Sequence, residues 1–219
     1  MYYKIKKNDN LKKISKKFSI PVELLFAFNK EIKNLDHFYE NQLIYIPNTD
    51  DIPNKSLQFQ TKNANDLIIR ARTAIDKGIR YRLGSGGMKP ELQSPTSDNF
   101  CDCSGFVCWV LGISRKTTSS FYEKFGGWIY TDSMVADINS SAGIFEKLNT
   151  PEVGCIIVYG AGNKIGHVGI VSEVDNGKMS KVIHCSKGND TNYNDSIKET
   201  NPSGFNRIDS LWGRFTDVI

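Results

Sequence analysis

The hydrophobic pattern of the N-terminal segment predicts four short elements in the order strand, helix, helix, strand. Residues 2–7 alternate between apolar and polar positions, as a β-strand does. Residues 11–18 then repeat apolar side chains at helical spacing, and a second helix is expected after Pro21, which suits a first helical turn. A short apolar run, Leu43–Ile46, ends the segment as a second strand. The pattern therefore predicts a small βααβ unit.

A polar stretch separates this unit from the rest of the chain. It has no hydrophobic period and contains Pro53, which is typical of a domain linker. Beyond it, five apolar positions predict an amphipathic helix: Ala64, Leu67, Ile68, Ala71 and Ile75. We therefore divide the chain into a first domain over residues 1–48, a linker over 49–60 and a second domain over 61–219.

The most informative stretch of the second domain surrounds Cys103. Residues 106–111 form an apolar run that periodicity alone assigns to neither strand nor helix. Asp102 before the run and Gly112 after it favour a helix with an N-cap and a C-terminal glycine. Cys103 would then lie at the helix N-terminus, where the macrodipole and unpaired N–H groups stabilise a thiolate. The alternative role for Cys103 is that of a small buried side chain.

A cysteine nucleophile needs a base, and the chain has three histidines. His37 lies in the first domain, whereas His167 and His184 lie in strand-like sequence on either side of the turn signal Asp175-Asn176-Gly177. If the two histidines are directly opposed, the turn is centred on the first two of those three residues. If the last two form the loop, the histidines sit diagonally. Both registers place the two imidazoles on one sheet face, and Gly169 leaves space beside them.

Composition and charge indicate a globular protein and argue against a membrane span or a disulfide scaffold. The chain is 39% hydrophobic and 24% charged, as in globular proteins, and no apolar run approaches the roughly 18 residues that span a bilayer. The net charge of +4 owes much to seven lysines between Lys4 and Lys17, which could meet an anionic polymer or simply face solvent. Five cysteines, an odd number, argue against a disulfide scaffold and leave room for a working thiol.

Residues 2–47 resemble the LysM module, a family that binds N-acetylglucosamine-containing glycans, chiefly peptidoglycan and chitin. The resemblance lies in the order of elements and in the runs Tyr3–Leu11 and Asn41–Pro47. Asn8 and Asn41 stand where the family often has glycine, and asparagine tolerates positive φ better than most residues. The resemblance implies a glycan groove beside five residues: Asp9, Asn10, Leu11, Asn29 and Ile44. Structural roles are also open to them, since Asp9 could cap a helix and Leu11 and Ile44 could serve the core.

The second domain resembles the NlpC/P60 family of papain-like cysteine peptidases across residues 64–219. Four motifs carry the resemblance: Asp102-Cys103-Ser104-Gly105-Phe106-Val107, Gly154-Cys155-Ile156-Ile157-Val158-Tyr159, His167-Val168-Gly169-Ile170 and Ile183-His184. It implies an α+β fold in which a helix carrying the cysteine packs against an antiparallel sheet carrying the histidines.

The same resemblance implies a catalytic triad that needs no cofactor and no metal. Cys103 would be the nucleophile, His167 the general base and acid, and His184 the residue that orients His167. Tyr81 matches the family tyrosine that helps the oxyanion site. Two residues match positions that line the substrate groove: Asp102 and Ser104.

These observations predict a peptidoglycan hydrolase that LysM targets to the cell wall. The family's favoured bond joins D-glutamate to a diamino acid in the stem peptide. One alternative is an N-acetylmuramoyl-L-alanine amidase or an acyl transferase on the same scaffold, and another is a catalytically inactive wall-binding protein. A metal site built from Cys101, Cys103 and the two histidines is disfavoured because the chain has no C-x-x-C pair.

The N-terminal residues bear on how the protein would reach the wall. Met1–Lys7 lacks the apolar stretch of a secretory signal, so we expect either a trimmed signal or delivery to the wall or periplasm by another route. A phage lysin or an injected antibacterial effector fits that expectation, and an effector implies an inhibitory immunity-type partner protein. Peptidoglycan is the expected partner, and we expect neither nucleic acid binding nor a membrane span.

Overall fold

The computed structural model describes residues 1–7, 9–18, 25, 29, 39–46, 63–140, 142–162 and 165–217. The chain divides into two compact units, Met1–Gln58 and Phe59–Ile219, each with its own hydrophobic core. Among the described residues, no helix is both long and apolar enough to cross a membrane.

The first unit has strands β1 (Tyr2–Lys4) and β2 (Leu43–Tyr45) and helix α1 (Leu11–Phe18). The strands pair antiparallel, with Tyr3 opposite Ile44. The apolar face of the helix packs on them in a core formed by Ile5, Leu11, Ile14, Leu25, Ile44 and Ile46. The predicted strand, first helix and closing strand are thus present, while the second predicted helix lies outside the described residues except for Leu25.

The turn before α1 corrects the predicted role of Asp9. Asn10 caps the helix, since its side-chain oxygen accepts from the N–H of Lys13 at 2.8 Å. The carboxylate of Asp9 instead accepts from the N–H of Lys6 and the hydroxyl of Tyr3, both at 2.8 Å, and so closes the preceding turn. Asn41 has a φ of +73°, as expected for an asparagine in a glycine position. Asn8 lies outside the described residues.

The described part of the second unit begins with a helix, and its other strands and helices follow mostly in runs of one type. Its elements are α2 (Ala64–Thr73), β3 (Arg80–Tyr81), β4 (Phe100–Cys101), α3 (Cys103–Val110), α4 (Ser120–Glu123), α5 (Thr131–Ser140), β5 (Phe145–Leu148), β6 (Ile156–Tyr159), β7 (His167–Asp175), β8 (Lys178–Cys185), α6 (Lys187–Tyr193), β9 (Ile197–Thr200), a 3-10 helix (Pro202–Phe205) and β10 (Leu211–Phe215). The predicted helix α2 buries Leu67, Ile68 and Ala71, and Ile75 lies just beyond its end.

A six-stranded sheet organises this unit in the order β5-β10-β6-β7-β8-β9, and every neighbouring pair is antiparallel. Helix α3, which begins at Cys103, packs against β7 and β8, and α5 packs against β5, β6 and β10. The main core lies between these helices and the sheet. The predicted α+β class is confirmed, and so is the cysteine-bearing helix on an antiparallel sheet.

The two faces of the sheet have different neighbours. Val168, Ile170 and Ile183 belong to the core that contains α3. Because side chains alternate along a strand, His167 and His184 project from the opposite face. Phe205, from the 3-10 helix, packs on the rings of both histidines there.

The β7–β8 hairpin adopts the second of the two predicted registers. Asn176 and Gly177, with φ of +49° and +73°, form the two-residue turn that a hairpin of this kind requires. Ile170 pairs with Ile183, and a bulge interrupts the ladder between Val171 and Val174 without changing the register beyond it. The two histidines are therefore diagonal neighbours on one face.

Gly169 provides the space that the sequence predicts beside the rings. A Cβ atom at this position would lie 2.5 Å from Cγ1 of Val182 and 3.0 Å from Cβ of His184. Any larger residue would push the β8 side chains away, so glycine keeps the two strands and their histidines close.

Candidate active site

Helix α3 presents Cys103 at its first position because Asp102 caps it. The Asp102 carboxylate accepts from the N–H of Gly105 at 2.8 Å, and its other oxygen accepts from the N–H of Gly84 at 2.6 Å. Ser104 Oγ donates to the same carboxylate at 3.1 Å. These bonds fix the direction in which the helix starts and tie it to the turn after β3.

A buried arginine, Arg115, completes this cluster, and no sequence motif pointed to it. Its guanidinium lies 3.2 Å from the Asp102 carboxylate, donates to Ser104 Oγ at 2.8 Å and donates to the carbonyl of Ser85 at 3.1 Å. The positive charge balances a carboxylate that would otherwise be buried alone. The side chains of Asp102 and Ser104 thus hydrogen-bond to other groups of the protein. Their assignment to the substrate groove stays a prediction.

The Cys103 thiol lies deep in the site, with 3% of the residue exposed. Burial raises its pKa to about 12, and the nearby Asp102 carboxylate adds to that rise. The nearby backbone N–H groups of Val168 and Ser104 lower the pKa of the thiol but do not offset burial. The effect of burial therefore exceeds the expected stabilisation of a thiolate by the helix N-terminus. At neutral pH the resting side chain is a protonated thiol.

The two histidines form a hydrogen-bonded pair on the opposite face of the sheet. Nε2 of His167 lies 2.8 Å from Nδ1 of His184, and the rings meet edge to face with centroids 5.0 Å apart. Burial lowers the pKa of His167 to about 3 and that of His184 to about 4. The neighbouring His184 lowers the pKa of His167 further. Both imidazoles are thus neutral at neutral pH, and burial makes each a weaker base than a free imidazole.

Two residues that the sequence did not indicate hold this pair in place. Phe205 is 2% exposed and stacks on His167 with ring centroids 5.0 Å apart and planes 17° from parallel. Thr200 Oγ1 lies 3.0 Å from Nε2 of His184. Both come from the segment after β8, and only the β8–β9 register, with Val182 opposite Thr200, shows that Thr200 shares a face with His184.

Tyr81 ends the short strand β3, where parallel pairing places it beside Cys101 of β4. It is half-buried, and its pKa is raised mainly by burial and next by the charge that Cys103 would carry as a thiolate. The phenol is therefore close enough to Cys103 for the charges of the two groups to interact. Its role at the oxyanion site stays a prediction.

The five predicted glycan contacts fall into two groups. Leu11 and Ile44 are buried in the core of the first unit. Asn29 is also buried, and its amide bonds the carbonyls of Leu25 and Tyr45 and the N–H of Tyr45, so it ties β2 to the middle of the unit. Only Asp9 and Asn10 of the five present polar surface. Glycan contact by any of the five stays a prediction.

The part of the chain that the structure describes contains no candidate metal-binding site. Its His, Cys, Asp and Glu side chains form no group of three or more suited to hold a metal ion. All five cysteines are buried and none is in a disulfide.

Comparison with known protein families finds one match in each part of the chain. Residues 3–47 match the family model of the LysM domain, and residues 94–189 match that of the CHAP domain. Among solved structures, the NlpC/p60 domain of the peptidoglycan hydrolase SagA aligns at 17% identity over 69% of this chain and 97% of that chain. Its TM-score is 0.37, too low to bear on fold or activity. No protein of curated function matches the sequence.

The chain thus matches a LysM domain model followed by a CHAP domain model, and the two matches together support a peptidoglycan-binding hydrolase. The LysM domain also supports association with the cell wall. The predicted order of a LysM module ahead of a wall-hydrolase domain is confirmed. The CHAP match includes Cys103, His167 and His184, begins after Tyr81 and ends before Thr200.

Proposed function

We propose that this protein is a cysteine peptidase that cuts an amide bond in the stem peptide of peptidoglycan. One observation carries the proposal: Cys103 begins α3 close enough to the backbone N–H of Val168 for that group to lower the pKa of its thiol, and the preceding residue, His167, is paired with His184 at 2.8 Å. A triad needs three parts: a thiol, an imidazole that acts as its base and a third group that orients the imidazole. Cys103, His167 and His184 are the candidates for these parts.

The protonation states favour a particular order of events. Cys103 rests as a thiol and His167 as a neutral imidazole, so His167 takes the proton from sulfur as the sulfur attacks the carbonyl carbon. The carbonyl oxygen becomes an oxyanion, which backbone N–H groups at the start of α3 and the Tyr81 hydroxyl would stabilise.

Collapse of the tetrahedral intermediate breaks the carbon–nitrogen bond. The imidazolium gives its proton to the departing amine, which leaves a thioester on Cys103 and a neutral His167. A water molecule, deprotonated by His167, then attacks the thioester and releases the acid. His184 accepts a hydrogen bond from His167 throughout and stabilises the imidazolium that forms twice in each turnover.

The bond between D-glutamate and the diamino acid is our proposed target, following the NlpC/P60 resemblance. Digestion of purified peptidoglycan followed by mass spectrometry of the fragments tests it. The expected products are intact glycan strands whose stems keep two residues, and released peptides that begin with the diamino acid. Release of complete stem peptides would make the protein an amidase, and joining of peptides to an added amine would make it an acyl transferase. Absence of any product would favour the inactive wall-binding alternative.

We further propose that the LysM domain holds the enzyme on the wall and that the protein acts there or in the periplasm after secretion or injection. A cell that makes a wall-degrading enzyme to kill competitors must protect its own wall from that enzyme. If this protein is an antibacterial effector, an inhibitory immunity-type protein is therefore the expected partner. The alternative role is that of a phage lysin.

Removal of the first domain separates targeting from catalysis. A chain that starts near Thr61 should fold and cut soluble muropeptides at the full-length rate, because the two units have separate cores. It should bind intact sacculi at least about tenfold more weakly, since the LysM domain raises the local concentration of enzyme at the wall. Sedimentation with sacculi measures binding, and equal sedimentation of the two proteins would contradict the anchoring role.

A further inference from the structure

A threonine hydroxyl stands behind the two histidines, outside the residues matched by the CHAP model. Thr200 Oγ1 lies 3.0 Å from Nε2 of His184 and donates to the carbonyl of Asn201 at 3.0 Å. Asn201 also caps the 3-10 helix that carries Phe205, so the same segment holds the hydroxyl and the ring that covers His167.

The hydroxyl has one proton, and that proton decides the direction of the whole chain of hydrogen bonds. Because Thr200 gives its proton to the Asn201 carbonyl, its oxygen can only accept from His184, and Nε2 of His184 must carry a proton. A neutral imidazole has one N–H, so Nδ1 of His184 is then an acceptor. Nε2 of His167 must donate to it, and Nδ1 of His167 is left without a proton.

The reverse arrangement would disable the base. If Thr200 donated to His184, then Nδ1 of His184 would carry the proton and donate to His167. The one proton of neutral His167 would then sit on Nδ1, and neither of its nitrogens could receive a proton from the thiol without breaking the pair. The two tautomeric arrangements share the same heavy-atom positions, so the hydrogen-bond partner of Thr200 selects between them.

We propose that Thr200 is a positioning residue that fixes both imidazoles in the Nε2–H tautomer and so keeps Nδ1 of His167 free to take the Cys103 proton. The inference rests on the proposed peptidase function for its consequence in turnover, although the tautomers themselves can be observed without catalysis. Thr200 touches neither substrate nor thiol in this scheme and acts only through His184.

The test compares three full-length variants. Thr200→Val removes the hydroxyl at nearly constant shape, and Thr200→Ser restores it. Thr216→Val is the matched control, because the Thr216 hydroxyl also donates to a backbone carbonyl, that of Ile144 at 3.2 Å, beside the opposite edge strand of the sheet. Melting curves should agree for all four proteins.

Muropeptide hydrolysis gives the kinetic readout. Thr200→Val should lower kcat about 10- to 100-fold, as loss of an outer hydrogen-bond partner does, with KM within about twofold. Thr200→Ser should recover kcat to within about threefold of wild type, and Thr216→Val should leave it unchanged. The activity that Thr200→Val retains should show the wild-type pH profile, because it comes from the molecules that still hold the Nε2–H tautomer.

Nitrogen-15 NMR of the histidine rings shows which ring nitrogen carries the proton. This would not change in Thr200→Val if Thr200 had only a structural role. The chain has three histidines, so His37→Gln and His184→Gln assign the spectrum. Wild type should show Nε2–H rings at His167 and His184, and Thr200→Val should show a new Nδ1–H population at both. A wild-type Nδ1–H at His167, an unchanged spectrum in Thr200→Val, or a changed spectrum at wild-type kcat would each overturn the inference. Expected tautomers in a wild-type protein that cuts no peptidoglycan would overturn the proposed function and leave the role of Thr200 standing.

Discussion

Replacing Cys103 with alanine should abolish wall digestion, with a loss of at least about 10⁴-fold, while the protein remains folded. The sulfur is the only atom that the change removes, and no neighbouring group can form the acyl intermediate in its place. Loss of one buried sulfur atom is a small change in packing, so the melting temperature should fall by only a few degrees, if at all. Release of soluble muropeptides from sacculi measures the activity.

Cys101→Ala is the matched control, because Cys101 is equally buried and lies two residues away. Its sulfur donates to the carbonyl of Asp102, and the residue precedes the helix, which begins at Cys103. This variant should keep activity within about threefold of wild type. If Cys101→Ala proved inactive and Cys103→Ala active, with both folded, the nucleophile would be Cys101.

Variants of the two histidines should separate the base from the residue that orients it. His167→Gln should lower kcat by about 10³- to 10⁴-fold, because an amide can neither take a proton from sulfur nor give one to the departing amine. His184→Gln or His184→Asn should cost less, about 10- to 100-fold, since the amide oxygen can still accept from His167 and the amide N–H₂ can still donate to Thr200. His184→Ala should fall between the two groups, because it removes the acceptor entirely.

Hydrolysis of a purified muropeptide by each variant, with a melting curve alongside, checks this order. Phe205 packs on both rings, so loss of either ring could loosen the site, and the melting curves separate that effect from loss of chemistry. Should a folded His184→Gln be as inactive as His167→Gln, His184 would be the better candidate for the base. The hairpin register would survive that result, because it places both rings on one face without deciding which one serves Cys103.

Much of the architecture could be predicted because it depends on neighbours in the sequence. The helix at Cys103 follows from Asp102 before an apolar run and Gly112 after it, and the structure shows both. The hairpin follows from Asn176-Gly177, which adopt the positive φ angles that a two-residue turn demands. Two registers were open from sequence, and the ladder from Ile170 to Asp175, bulge included, selected one of them.

Burial and long-range contact could not be predicted, because they depend on segments far apart in the chain. Asn29 matched a glycan-binding position, but its amide hydrogen-bonds to Leu25 and Tyr45. Asp102 matched a groove position, but its carboxylate is paired with Arg115, 13 residues away. The helix start predicted a thiolate, whereas the depth of Cys103 in the core keeps it a thiol.

The sequence by itself determined the two domains, the helix that presents Cys103 and the sheet face that His167 and His184 share, because capping, turn chemistry and strand alternation are local. Only the tertiary structure decided which groups surround that site. The Arg115–Asp102 pair, the stacking of Phe205 and the Thr200 hydroxyl behind His184 all join segments that share no motif. Protonation follows from those surroundings, since burial and hydrogen-bond partners set the pKa of a thiol and choose the tautomer of an imidazole.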